Sequence, residues 1–243
     1  MAAELTGPVP CVLFALRRES HFFRRALPPW GPCPGAPCWA RICGPREQPV
    51  LLAETGVGQA RVGCALDWLL GTRPPWVLFA GFGGALADDL RVGDVVWATG
   101  VRDAEGRAWP TTWPGIIPAE LRRGTLLTMP RIISTPGEKR ALARQHGAVA
   151  VDMESALLAR RCSELGVPFG CLRAISDDAA TSLSPELARI VGEGTVAPWQ
   201  FVAALARRPR LLGEMLRLAR YTKEASRRLG GALGQLLSAS RGP

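Results

Sequence analysis

Residues 148–178 constrain the fold more than any other stretch of this chain. An apolar run, AVAV, passes into DMESALLARRCSEL, whose apolar residues recur at helical spacing. Gly166 closes that helix before a second apolar run, FGCLRAIS. A strand, a helix and a strand so close together make a βαβ unit with a right-handed crossover. Its first strand ends at Asp152, Met153 and Glu154, its second at Ser176, Asp177 and Asp178. Ligands of open α/β sheets bind along the edge where parallel strands end, so the two acidic clusters are expected to face one crevice. Helix capping accounts for Asp152 and Asp178. It leaves Glu154 and Asp177 unexplained.

The rest of the chain alternates in the same way. Strands are expected at CVLFAL (11–16), VLLAET (50–55), WVLFAG (76–81), GDVVWATGVRD (93–103) and GTLLTMPRII (124–133). GVGQARVGCALDWLLGT turns at its glycines and enters a helix closed by Gly71. Thr135, Pro136 and Glu138 have the form of a capped helix start. The Pro-, Gly- and Cys-rich segment after residue 27 reads as loops and an irregular hairpin. The expected fold is α/β: three αβα layers around a mixed, mostly parallel sheet, with a basic amphipathic helix at the C-terminus. Residues 1–200 form the catalytic domain in this reading and 201–243 a basic helical tail.

Composition excludes several classes. With 243 residues, 47% hydrophobic and 21% charged, the chain is globular, and no run is long and apolar enough for a membrane span. Its N-terminal apolar run lacks a basic leader and reads as a first strand, not a signal peptide. Seven cysteines suggest a reduced, cytoplasmic setting. Cys33, Cys38 and Cys43 lack the spacing of a zinc cluster, so neither metal nor cofactor is expected. Eight tryptophans, several beside prolines, read as loop packing.

A third carboxylate, Glu19, lies just beyond the first strand, and TGVG (55–58) and AGFGGAL (80–86) let backbone approach a ligand closely. GFGGAL lacks the last glycine of a dinucleotide fingerprint, which argues against a nicotinamide enzyme. Three carboxylates around a glycine-lined crevice suit cleavage of a glycosidic bond: one holds sugar hydroxyls, one protonates the leaving group, one activates water.

ALRRE, TGVG, AGFGGAL with LRVGD, VDMES and RAISDDA occur here in an order and spacing that resembles the purine nucleoside phosphorylase and methylthioadenosine/adenosylhomocysteine nucleosidase superfamily, over about residues 10–200. GEKRALARQHGAVAVDMES and RRPRLLGEMLRLAR look most like its hopanoid-associated phosphorylase branch, thought to remove adenine from adenosylhopane. The resemblance implies that Asp177 protonates the purine at N7, that Glu154 and Met153 hold the ribose, and that Glu19 deprotonates the attacking water. Gly81, Phe82, Gly83, Ile132, Ile133 and Ser176 complete the implied substrate site. Asp177 would need to keep its proton, through burial or through Asp178, while Glu19 and Glu154 would be ionised. Met153 also reads as core filler beside Ala156 and Leu157, and Phe82 as a packed aromatic.

The departures are informative. Phe82 stands where the family often has a phosphate-binding hydroxyl, and no arginine follows until Arg91, which favours hydrolysis over phosphorolysis. Ile132 and Ile133 replace an aromatic that commonly stacks on the purine. The leading expectation is a purine nucleosidase acting on a 5′-substituted adenosine, with adenosylhopane as one substrate to consider. The alternatives are a phosphate-dependent phosphorylase and a non-catalytic nucleoside-binding protein.

Net charge is +9, of which residues 200–230 hold +6, from eight Arg/Lys against Glu214 and Glu224. Leu212, Met215, Leu216 and Ala219 fall on one helical face, with Arg217, Arg220 and Lys223 elsewhere. Two readings stay open: a helix packed on the body or on another subunit, and an interfacial helix (205–230) drawn to anionic lipid on the inner membrane face. A homodimer or higher homo-oligomer is expected. Nucleic acid is not an expected partner, because no recognised module accompanies the charge.

Overall fold

A computed structural model of the protein describes residues 8–45, 47–184 and 210–239. Its strands are β1 (Cys11–Phe14), β2 (Pro29–Pro32), β3 (Trp39–Cys43), β4 (Val50–Glu54), β5 (Val77–Ala85), β6 (Val95–Arg102), β7 (Ala108–Pro110), β8 (Arg122–Thr128), β9 (Ala150–Asp152) and β10 (Phe169–Asp177). Its helices are α1 (Arg17–Ala26), α2 (Gln59–Gly71), α3 (Pro136–His146), α4 (Ser155–Glu164) and α5 (Arg210–Ala239). The first strand, the hairpin β2–β3 and the elements β9, α4 and β10 lie where the sequence puts them. However, β9 and β10 run in opposite directions beside β5, so they do not form the expected parallel βαβ unit. The basic segment's residues 200–209 lie outside the described residues.

The sheet runs β10-β6-β8-β9-β5-β1-β4-β3-β2, with β7 on β6. A further pairing of β10 with β5 closes β5, β10, β6, β8 and β9 into a ring, from which β1, β4, β3 and β2 extend as an open wing. β1 pairs parallel with β4 and β5, β10 with β5, and β8 with β6 and β9. The hairpin, the β3–β4, β6–β7 and β6–β10 pairs and the short β5–β9 pair are antiparallel.

Each face of the sheet buries its own core. On one, Val62, Leu66 and Leu69 of α2 and Leu158, Ala159 and Cys162 of α4 pack against Leu13, Phe79 and Ile175. On the other, Phe23 of α1 and Ala225, Leu229, Leu233 and Leu236 of α5 cover Val12, Leu52, Leu78 and Leu172. The second half of α5 is therefore built into the body. Its inward stripe is not the one expected from hydrophobicity: Leu212 (49% exposed) and Leu216 (54%) face water. Thr222, Ala225 and Ser226 line the inward side, and Ser226 Oγ donates to the Arg18 carbonyl at 2.6 Å.

Two details position the site. First, β9 and β10 are not neighbours, as the βαβ reading implied; β5 runs between them, parallel to β10 and antiparallel to β9. The glycines of AGFGGAL sit in this central strand rather than beyond its end. Second, β10 carries an irregularity, Ile175 pairing with Gly83 and Asp177 with Gly84. The unpaired Ser176 breaks the alternation of faces, as β-bulges do, and Ser176 and Asp177 both reach one cavity.

Candidate active site

The site is a largely apolar cavity of about 220 Å³ where β1, β5, β9 and β10 end. Leu16, Phe82, Ile132, Ile133, Val151, Met153, Leu183 and Leu218 supply its apolar wall, and Glu19, Asp152, Glu154 and Asp177 its carboxylates. The acidic clusters of β9 and β10 do converge. Phe82, Gly83, Ile132, Ile133, Met153, Glu154, Ser176 and Asp177 line the cavity with Glu19, as expected; Gly81 does not. A Cβ on Gly81 would lie 2.7 Å from Glu19 Oε1 and 3.0 Å from Arg173 Nη1, so this glycine makes room behind the carboxylate and is no wall residue.

Glu19 sits in the first turn of α1. Its Oε2 accepts the Leu16 N–H at 2.7 Å, and its Oε1 accepts the Phe82 N–H at 2.8 Å. Helix start and central strand thus fix one carboxylate at both oxygens. Burial pushes its pKa upward, against the pull of the Phe82 N–H and the Arg173 guanidinium.

Glu154 follows β9 and starts α4. Gly58, at positive φ before α2, donates its N–H to Glu154 Oε1 at 3.3 Å. Burial first, then the neighbouring Asp152 carboxylate, push Glu154 up to about 7. Burial thus acts against the ionised form that the family pattern implied for Glu19 and Glu154. Burial holds both above the ordinary carboxylate range. An ionised Glu154 is favoured once a ligand donates hydroxyl hydrogen bonds to it.

Asp152 has more to do than cap a helix. It accepts the Ser155 N–H at 3.3 Å and the Thr128 hydroxyl at 2.7 Å through Oδ1, while Oδ2 takes the Ser155 hydroxyl and Arg173 Nε, the latter at 2.8 Å. Arg173, buried in the middle of β10, also donates Nη2 to Ser155 Oγ at 2.8 Å and stacks 4.0 Å over the Phe79 ring. Its place in an otherwise apolar run was the signal for this pair.

Asp177 differs from expectation in its partner. Asp178 turns away, its carboxylate accepting the Thr181 hydroxyl at 2.6 Å. Asp177 Oδ2 instead accepts from Lys139 Nζ, and Oδ1 from the Ser176 hydroxyl at 2.8 Å. Lys139 was given no role by the sequence, where GEKRALAR only continues a capped helix start. Arg18, Leu218 and Thr222 were missed as well. They close the cavity from α1 and α5.

A cavity of this make-up suits the opening of an N-glycosidic bond: apolar walls for a flat heterocycle, carboxylates for a sugar and a proton. The class is that of N-glycosyl hydrolases and pentosyltransferases, and it is an enzyme class. The chain belongs to the phosphorylase superfamily, whose family model matches residues 36–115 and 114–193. It is 32% identical over 158 residues to a 5′-methylthioadenosine/S-adenosylhomocysteine nucleosidase of Haemophilus ducreyi, covering 54% of this chain and 68% of that one. Its identity to the Bacillus subtilis nucleosidase of the same name is 25% over 187 residues, covering 65% and 81%. Among solved structures, the futalosine hydrolase of Helicobacter pylori superposes with a TM-score of 0.73 at 17% identity, over 95% of this chain and 97% of that one. The same organism's methylthioadenosine/adenosylhomocysteine nucleosidase superposes at 0.71 and 16%, over 96% and 99%. The fold is that of these hydrolases.

Proposed function

We propose that the protein hydrolyses the N-glycosidic bond of a 5′-substituted adenosine and releases adenine or a related purine. The observation that carries this reading is the convergence of Glu19, Glu154 and Asp177, from three separate elements, on one apolar cavity. Glu154 holds the ribose hydroxyls, with Met153 beneath the sugar. Phe82, Ile132 and Ile133 flank the base. Asp177 delivers a proton to purine N7 as the bond to C1′ breaks, leaving an oxocarbenium-like ribosyl group. Glu19, held firmly and pushed up by burial, takes the proton of the water that captures it. The nucleosidases among the relatives support the same chemistry.

Water is favoured over phosphate as the acceptor. A phosphate needs fixed donors beside the sugar. Here Phe82 offers no hydroxyl, Arg173 is committed to Asp152 and Ser155, Arg131 pairs with Glu138, and Arg18, the other arginine of the lining, is an exposed side chain of α1. Adenine release by the full chain from a panel of 5′-substituted adenosines, in phosphate-free buffer, tests the proposal. Release that requires phosphate and yields ribose 1-phosphate would make the enzyme a phosphorylase.

The 5′ substituent is proposed to be apolar and lipid-linked, as in adenosylhopane. Arg18 of α1 and Leu218 and Thr222 of α5 line the cavity, and Arg18 and Thr222 also line a neighbouring cleft with Arg17, His21 and Lys223. Leu16, just before α1, and Leu212 and Leu216 of α5 are exposed. Apolar side chains among cations are what a helix lying on an anionic bilayer presents, and no helix among the described residues is long and apolar enough to cross one. The proposed setting is the cytoplasmic face of the membrane.

A further inference from the structure

Lys139 is fully enclosed, yet it lies in the first turn of α3, after the Thr135 cap. An ammonium placed there is costly unless its protons are taken up. Two acceptors take them: the Asp177 carboxylate and, at 2.7 Å, the Asp178 carbonyl. Asp177 ends β10 on the cavity wall, and Asp178 follows it directly in the chain. No other buried cation among the described residues touches a carboxylate to which the proposed reaction assigns a proton transfer, since Arg173 is bonded to Asp152.

A carboxylate facing an ammonium is an acceptor, and an acceptor alone cannot protonate a leaving group. The proposed chemistry nevertheless asks Asp177 for a proton. Resting on that reading, we propose that Lys139 is the proton source behind Asp177, so that the acid of this site is the Lys139–Asp177 pair. The lysine acts through the aspartate and is a positioning residue.

In the step, the C1′–N bond breaks and its electron pair passes to the purine. A proton moves from Lys139 Nζ to Asp177 Oδ2, and the carboxyl so formed gives a proton to the purine nitrogen. Asp177 returns to a carboxylate and Lys139 becomes a neutral amine. Water adds to the ribosyl cation and gives its proton to Glu19. After product release Lys139 regains a proton by way of Asp177, which faces the cavity, and Glu19 loses one to solvent, so charge and atoms balance over the cycle. The Ser176 hydroxyl, 2.8 Å from Oδ1, keeps the carboxyl group oriented while its other oxygen exchanges the proton.

A lysine that merely holds β10 in place would slow every substrate alike. A proton source matters only for leaving groups that need protonation. The test compares 5′-methylthioadenosine with 4-nitrophenyl β-ribofuranoside, whose phenolate departs without a proton, on wild type, Lys139→Met, Lys139→Gln and Asp177→Asn. Thermal unfolding checks that each variant folds, and the glutamine variant keeps a hydrogen-bond donor should the methionine variant fail to fold. Both lysine variants are expected to lose about 100-fold or more in kcat on the nucleoside, the lower end of what general acid catalysis contributes, and to keep the nitrophenyl riboside rate within about threefold. Asp177→Asn is expected to show the same split. Equal losses on both substrates, or no loss on the nucleoside, would overturn the relay while leaving the nucleosidase reading intact. A wild type that splits the nitrophenyl riboside but releases purine from no nucleoside overturns that reading, and the relay with it.

Discussion

Arg173 donates Nε to Asp152 Oδ2 at 2.8 Å, which joins the middle of β10 to the end of β9 across the strand between them. Both side chains are buried, and Ser155 and Thr128 saturate the carboxylate. Removing one partner leaves an uncompensated buried charge, at a cost of about 3–5 kcal/mol. Arg173→Met is therefore expected to lower the unfolding temperature by on the order of 10 °C. Because the two losses share a cause, Arg173→Met with Asp152→Asn is expected to lose less than the sum of the single changes. Calorimetry of the three variants measures this; simple additivity would show that the pair is not the unit it looks to be.

The same arginine and Glu19 crowd Gly81. A methyl group there would meet Glu19 Oε1 at 2.7 Å and Arg173 Nη1 at 3.0 Å, and both groups are anchored. At Gly84 it would meet Asp177 Oδ2 at 3.0 Å. Gly81→Ala is expected to cost about 1–3 kcal/mol and to reduce turnover by at least about tenfold through displacement of Glu19. Gly63, inside α2 with nothing within 4 Å of its virtual Cβ, is the control. Gly63→Ala is expected to raise stability by about 0.5–1 kcal/mol and leave turnover alone. If Gly81→Ala keeps wild-type activity, the spacing behind Glu19 is not critical.

Glu154 makes the free protein sensitive to pH. Burial, then Asp152, raise it from its ordinary 4.5 to about 7, so between these values the folded protein retains a proton that the unfolded chain has released. Stability from this group is present in full below about pH 4.5 and is lost as the pH rises through about 7. Glu154→Gln, neutral throughout, keeps an acceptor for the Gly58 N–H. It is expected to unfold several degrees above wild type at pH 8, a difference of at most about 3 kcal/mol, and close to wild type at pH 5. The same difference at both pH values would exclude the carboxyl as its source. Nucleoside turnover by this variant is expected to fall, since an amide cannot hold ribose hydroxyls as a carboxylate does.

These side chains were not equally legible in the sequence. Local period and glycine stops mark β9, α4 and β10, and Glu154 and Asp177 stand out because capping does not require them. Strand direction has no local signature, so nothing in AVAVD announces that β9 meets β5 antiparallel. Lys139 is hidden by its context, since a charged residue in GEKRALAR reads as solvated until α3 folds against β10. α5 misleads for a related reason. Small and polar residues form much of its inward stripe, and Gly230 is needed there because a Cβ would meet Phe22 Cβ at 3.0 Å. Leu212 and Leu216 of its first half face outward, while Leu229, Leu233 and Leu236 of its second half face in.

Those outward leucines give the membrane proposal its test. Deleting residues 205–243 would remove Leu229, Leu233 and Leu236 from the second core, so loss of binding in such a variant would report unfolding. Leu212→Ser with Leu216→Ser changes only exposed positions and spares the cavity. Each leucine inserted into the bilayer boundary contributes about 1.5–3 kcal/mol, and each cation near an anionic surface about 1 kcal/mol. The double variant is therefore expected to lose at least about 100-fold in partitioning to phosphatidylglycerol vesicles, measured by co-sedimentation. Arg217, Arg220 and Lys223 predict weaker binding to phosphatidylcholine vesicles and at high salt. Turnover of a soluble nucleoside is expected to stay at the wild-type rate. Equal partitioning of variant and wild type would leave α5 as a helix of the body with solvated arginines, and the 5′ end of the substrate would have to be sought without a bilayer beside it.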